Sequence, residues 1–275
     1  TPTPAGAAYL AIGRGVDPRA ITRVAVAAVG GIERFVKRGD DVIVKPNICV
    51  DYHSYEYAAT TNPDVVAALV ELCLGAGARR VRVMDSPFGG GAQSAYANSG
   101  IAAAVAAAGG EMEVMNRNKF VKTSIPDGRD IKKWDIYRDV LEADVVINVP
   151  IAKHHNLVRL TLGGKNLLGV VTSRGSLHAN LGQRIADLLS VVRPTLTVVD
   201  AVRILMAHGP TGGNLDDVRQ AQTVIASHDA VAADAYAATL FDLTGADIAY
   251  VAAAAQMGLG TLDLGGLRIE EVAVG

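Results

Sequence analysis

Residues 144–171 read DVVINVPIAKHHNLVRLTLGGKNLLGVV. The segment opens on a strongly apolar run, 145–149, of the kind that makes a strand inside a parallel sheet. Pro150 is expected to end that strand. Lys153, His154, His155 and Asn156 then fall in a loop just past its carboxyl end, followed by Gly163, Gly164, Lys165, Asn166 and Gly169. Open α/β sheets bind ligands beyond the carboxyl ends of their strands. A merely solvated loop would also be polar, but lysine usage argues for a site. Of eight lysines, Lys119, Lys122, Lys132 and Lys133 share one polar segment, and Lys37 reads as a helix-end surface residue. The other three, Lys45, Lys153 and Lys165, follow apolar strands or sit among glycines. An ammonium buried without a partner is costly, so three such lysines point to a shared function.

Working outward, residues 9–12 read as a first strand. Asp17-Pro18 opens a helix expected to reach Val36, with the acid as cap and proline in the first turn. Residues 41–44 form a second strand that delivers Lys45-Pro46-Asn47. A long polar loop follows, as lids and binding loops do. Asn62-Pro63-Asp64 starts the next helix, and a third strand, 80–84, ends at Asp85-Ser86. A helix is expected over 99–108 and a short strand over 113–115. Residues 119–137 read as a hairpin turning at Asp127-Gly128 and covering a sheet edge. Later come a helix over 181–191, a strand over 196–199 ending at Asp200, a strand-like run at 223–226, and a helix capped by Asp229 and running toward Leu243. A helix over 249–257 and an edge strand over 267–274 close the chain. The fold class is α/β: a Rossmann-like, mostly parallel sheet flanked by helices, with a β-hairpin insertion near 119–137. The whole chain, 1–275, is expected to be a single α/β domain, or two intimately packed lobes of about 1–143 and 144–275.

Composition narrows the function classes. Half the residues are apolar and a fifth charged, which describes a packed chain and not a disordered one. A net charge of −2 leaves no polybasic surface, so nucleic acid is not an expected partner. No apolar run reaches membrane-spanning length. The two cysteines, Cys49 and Cys73, cannot ligate an iron–sulfur cluster, and there is no CxxC pair. Cys73 reads as a core residue of an apolar helix, whereas Cys49 is either near a site or simply packed. The opening TPTPAGAA resembles the small-residue stretch left after signal removal, which leaves the compartment open between cytoplasm and export after removal of an N-terminal signal.

Four strand ends carry the chemistry: Lys45/Asn47, Asp85/Ser86, Lys153/His155 and Asp200. In a parallel sheet they share one edge, where ammoniums, asparagines and backbone N–H groups make an anion site. An imidazole titrates near neutral pH and can move a proton. Adjacent side chains of an extended segment point opposite ways, which favours His155 over His154. Asp85, His155, His178 and Asp200 could alternatively supply a mixed N/O metal set, although no HExxH spacing is present. No Gly-x-Ser-x-Gly elbow is present either.

The set KPN at 45–47, NPDVV at 62–66, DS at 85–86, PxxKxH at 150–155, GxKNxxG at 163–169, HxN at 178–180, TVVDA at 197–201 and GP at 209–210 resembles the DUF362 family of uncharacterised bacterial and archaeal proteins. The resemblance spans roughly residues 42–234. It implies that Lys45, Asn47, Asp85, Lys153, His155, Lys165, Asn166, His178 and Asp200 are the recurring polar positions. Many members carry an added ferredoxin-like cysteine cluster, which this chain lacks, and some look exported by a twin-arginine signal. A more distant likeness, over 61–83 and 163–169, is to the lactate racemase family, which uses a nickel-pincer nucleotide. It implies that a lysine such as Lys165 can hold a phosphorylated or covalent cofactor.

The resulting expectation is an enzyme that binds an anionic small molecule or phosphorylated cofactor and uses acid/base or metal-assisted chemistry. Its catalytic residues are His155, Lys153 and Asp85; Lys45, Asn47, Lys165, Asn166 and Gly164 bind the anion or cofactor; His178 and Asp200 are the metal candidates. The alternative is a non-catalytic binding protein serving a redox partner. A homo-oligomer is compatible with either.

Overall fold

Near-continuous apolar runs along the central strands give this sheet two buried faces. The computed structural model describes residues 6–275. The opening stretch read as a signal remnant lies mostly outside them. The strands are β1 (Leu10–Arg14), β2 (Asp41–Pro46), β3 (Arg80–Val83), β4 (Glu111–Met112), β5 (Phe120–Ser124), β6 (Lys133–Tyr137), β7 (Val145–Val149), β8 (Ile151–His155), β9 (Arg159–Thr161), β10 (Leu196–Leu205), β11 (Val218–Ser227) and β12 (Ile269–Ala273). Their order in the main sheet is β12-β1-β11-β10-β7-β2-β3-β4, with β8 pairing both β10 and β9. Strands β4, β3, β2, β7 and β10 are mutually parallel. Strand β11 runs against both β10 and β1.

The helices are α1 (Pro18–Ala28), α2 (Pro63–Gly75), α3 (Ala92–Asn98), α4 (Ile101–Ala107), α5 (Arg138–Glu142), α6 (Gly163–Asn166), α7 (Leu181–Leu189), α8 (Ala230–Thr239) and α9 (Ala249–Gln256). Val42, Val44 and Ile147 join Ile21 of α1, Leu69 of α2 and Val105 of α4 in one core. Ile43, Val146 and Val199 join Ile185 of α7, Val231 of α8 and Tyr250 of α9 in the other. The result is a mostly parallel α/β sheet flanked by helices on both faces, the layering expected of buried parallel strands. Capping follows the sequence signals. Asp17 accepts from the N–H groups of Arg19 and Ala20, Asn62 from that of Asp64, and Asp229 from those of Val231 and Ala232.

Several boundaries differ from expectation. Helix α1 stops at Ala28 because Gly30 and Gly31 turn into the left-handed region (φ 106° and 76°). The helix expected over 99–108 is α4, Ile101–Ala107, and an unexpected helix, α3, precedes it and is separated from it at Ser99-Gly100. Strand β4 comes two residues early, and α8 ends at Thr239. The hairpin is present in register Phe120↔Tyr137, but it forms its own two-stranded sheet. The N–H groups of Arg129, Asp130 and Ile131 in its loop donate to Asp187 on α7, so a helix holds the hairpin and not a sheet edge.

The correction that matters most concerns Pro150. The chain does not leave the sheet there, and Lys153, His154 and His155 lie on a strand, β8, not in a loop. Proline lacks only the donor, and the Pro150 carbonyl still accepts the Asp200 N–H at 2.8 Å. Pairing with β10 resumes at Ile151. Correspondingly, β10 runs ten residues, and Asp200 lies inside it and not at its end.

Candidate functional site

The carboxyl ends of β2 and β3, strand β8 and helix α6 surround a cavity of about 480 Å³. Lys45, Asn47, Asp85, Lys153, His155, Lys165, Asn166 and His178 all line it. Neither Gly164, buried against Tyr250, nor Asp200 lines it. The wall carries four cationic side chains, the three lysines and Arg174, against one carboxylate, Asp85.

The lysines are not equivalent. The Lys45 ammonium is buried and meets three oxygens: Pro46 O at 2.9 Å, Asn166 Oδ1 at 2.9 Å and Asp85 Oδ1 at 2.7 Å. The Asp85 contact is an ion pair without good hydrogen-bond direction, while Asp85 Oδ2 accepts the Ile48 N–H at 2.6 Å. Lys153 is also buried and donates to Ala59 O at 2.6 Å, Pro210 O at 2.9 Å and Asn47 Oδ1 at 3.1 Å. An ammonium has three protons: Lys153 spends all three in hydrogen bonds, and Lys45 spends two and turns the third side to the Asp85 carboxylate. Burial pulls both below the ordinary lysine value, opposed at Lys45 by Asp85. Lys165 has neither a hydrogen-bond nor an ion-pair partner among the described residues. Burial, then the nearby charges of Lys153 and Arg174, push it down to about 8.

The GGKNLLG segment is shaped around these groups. Asn166 Oδ1 accepts from Lys45 and Asn47, and its amide donates to Lys45 O and to Asn148 Oδ1. A Cβ on Gly169 would lie 1.9 Å from Asp85 Oδ1 and 2.5 Å from Lys45 Nζ. One on Gly164 would lie 2.9 Å from the Tyr250 ring. Asp234 of α8 receives the N–H groups of Gly163 and Gly164 at 2.6 and 2.9 Å, fixing the start of α6. Burial raises Asp234 to about 7.

Side chains alternate along β8, so Lys153 and His155 share the cavity face. His154 faces away, its Nδ1 accepting the Gly209 N–H at 3.1 Å. His155 Nδ1 accepts the Leu157 N–H at 3.1 Å, which leaves the ring proton on Nε2. Burial, then the charges of Lys165 and Lys153, drive its pKa to about 3, so the ring is neutral at physiological pH. Asp200 departs from the expected metal set because its carboxylate is committed to the N–H groups of Asn62 at 2.6 Å and Val202 at 3.0 Å. Among the described residues no three His, Cys, Asp or Glu side chains converge as metal ligands. The cation-rich wall instead suits a carboxylate or phosphate. Cys73 is buried in α2, while Cys49 both packs and lines the cavity, its Sγ 3.5 Å from Pro210 O.

Sequence reading missed four residues. Asn148 was hidden in the run read as apolar, yet it is buried and bonds Asn166 and Gly163 O. Asp234 sits mid-helix, and Arg174 and Thr161 carry no local signal. Arg174 bonds Ser86 Oγ at the cavity wall. Thr161 Oγ1, also on the wall, is buried without a partner.

The chain is 28% identical over 246 residues to a thylakoid-associated protein of Synechocystis sp. strain PCC 6803, covering 86% of this chain and 74% of that protein. Its fold is similar to that of the lactate racemase apoprotein from Thermoanaerobacterium thermosaccharolyticum, with a TM-score of 0.53 at 10% identity over 83% of this chain. The chain spans 56% of the racemase's length, and at that identity the likeness is one of fold alone. The family model described as a domain of unknown function, DUF362, matches residues 42–239, from β2 through α8 and so across every strand and loop that lines the cavity. The protein belongs to the DUF362 family.

Proposed function

We propose that the cavity binds a small carboxylate- or phosphate-bearing molecule or cofactor, and that the protein is an enzyme that moves a proton on it. One observation carries this reading: four cations face one carboxylate in a concave, largely buried site. Burying surplus charge is unfavourable unless something compensates it, and an anion does. The orphaned Thr161 Oγ1 adds a hydroxyl without a partner in the same wall. Because Lys45 and Lys153 spend their donors on the protein, they contribute field and not contact. Lys165 and Arg174 are the groups with donors left for a ligand. Lys165, pushed down to about 8, suits proton transfer near neutral pH better than His155, driven down to about 3.

The test is calorimetric titration of inorganic phosphate and acetate into the wild type, Lys165→Met and Arg174→Met. The expected result is measurable binding of at least one anion that weakens tenfold or more in each variant. Absence of binding at millimolar anion, or binding indifferent to both substitutions, would overturn the reading.

A further inference from the structure

Lys165 stands apart from the two buried lysines, and this difference deepens the reading above, on which the inference rests. A nucleophilic amine needs a lone pair, hence a deprotonated nitrogen free of obligatory acceptors. The Lys45 and Lys153 nitrogens are each held by three oxygens. The Lys165 nitrogen is held by none among the described residues, and it lines the same cavity. Cationic neighbours and burial are the arrangement that activates lysine toward carbonyl groups. We propose that Lys165 is a nucleophile that captures its ligand as an imine, the ligand being a small aldehyde or ketone that carries a carboxylate or phosphate. The anionic group would lie against Arg174 in the field of Lys45 and Lys153, which brings the carbonyl carbon to Lys165.

The step balances without an outside oxidant or reductant. The neutral Lys165 nitrogen attacks the carbonyl carbon, a C–N bond forms, and the C=O π electrons move to oxygen. That oxygen takes a proton, and the amine loses one. A second proton reaches the resulting hydroxyl, the C–O bond breaks as the nitrogen lone pair forms the C=N bond, water leaves, and the nitrogen gives up its remaining proton to leave the neutral imine. With a pKa of about 8, roughly a tenth of Lys165 is neutral at pH 7 and available to attack.

Reductive trapping tests this. The purified protein is incubated with cyanoborohydride and either glyoxylate or dihydroxyacetone phosphate, with acetone as the uncharged control, and the adduct is mapped by peptide mass spectrometry. The expected result is a stoichiometric secondary amine at Lys165 with one of the two anionic carbonyls. Lys45 and Lys153 should stay unmodified and acetone should give little product. The preferred probe separates a carboxylate from a phosphate requirement. Lys165→Arg, which keeps the charge and has no nucleophilic amine, should lose the adduct, and Lys37→Arg, at an exposed lysine, should keep it. Binding of either probe with no adduct at Lys165, or labelling spread evenly over surface lysines, overturns the nucleophile while leaving the anion site intact. No binding and no adduct overturns both.

Discussion

Replacing Gly169 with alanine tests whether the Lys45–Asp85 pair organises this cavity. The added Cβ would lie 1.9 Å from Asp85 Oδ1, against the 3.4 Å of an ordinary contact, so the carboxylate must retreat by the difference of 1.5 Å. Gly169 has no positive φ, so the cost is steric and not conformational. The ion pair, 2.7 Å long, would open to about 4.2 Å. At an effective dielectric of about 20 its attraction falls from about 6 to about 4 kcal/mol. The charge-assisted bond from the Ile48 N–H, worth about 1.5–3 kcal/mol, is strained in the same movement. Together these give a loss of about 3–5 kcal/mol, the range for a broken buried pair. Urea unfolding of Gly169→Ala against the wild type measures it. Gly175→Ala is the control, since its Cβ would meet nothing within 4 Å. A Gly169→Ala protein within about 1 kcal/mol of the wild type, or one no worse than Gly175→Ala, would refute the reasoning.

Asn166→Ala removes the shared partner of Lys45, Asn47 and Asn148, and should lower stability by about 3–5 kcal/mol in the same assay; a loss below about 1 kcal/mol would show the network to be incidental. His155 stays neutral in the fold down to about pH 3 whereas the unfolded chain protonates it near 6.5, so its contribution is present above 6.5 and is lost as pH falls toward 3. His155→Gln should therefore flatten part of the acid limb of a urea-midpoint profile between pH 7 and 4, with His228, pushed by burial to about 4, supplying another part; an unchanged limb counts against the buried neutral ring. Asp234 has the opposite sign. Its pKa is raised to about 7, so its contribution is present below the unfolded value and fades as pH rises through 7. The stability margin of the wild type over Asp234→Asn should shrink between pH 5 and 8, and a margin that grows would contradict the assignment. Lys165 loses its charge as pH rises through about 8, so anion affinity should fall between pH 7 and 9.5 in the wild type but not in Lys165→Arg; a flat wild-type profile would remove Lys165 from the binding site.

The convergence of Lys45, Asp85, Lys153, His155 and Lys165 was legible because parallel topology brings successive strand ends to one edge, whatever the sequence distance between them. The strand through Pro150 was not legible, because losing a donor looks like losing the strand until the Asp200 N–H is seen to use the remaining carbonyl. Asn148 gave no signal, since one polar residue in an apolar run leaves the period unchanged. Asp234, seventy-one positions from its partner Gly163, looks like any acid in an alanine-rich helix; only packing of α8 against α6 turns it into a cap.

Charge alone also misled about how the lysines divide their work. Three lysines in the right places read as three anion ligands, because sequence records charges and not where protons are spent. Counting acceptors separates them. Lys45 and Lys153 each meet three protein oxygens, so the nitrogen of each is already committed within the protein. The charge of Lys153 still acts through space, since its hydrogen bonds end on neutral carbonyl oxygens, whereas Asp85 partly balances that of Lys45. After burial, the charge of Lys153 helps to lower both His155 and Lys165, and Lys45 adds a smaller effect at Lys165. Committed lysines that hold the loops in place while keeping Lys165 near neutrality provide a reason for the chain to bury charge it could otherwise have replaced with apolar packing.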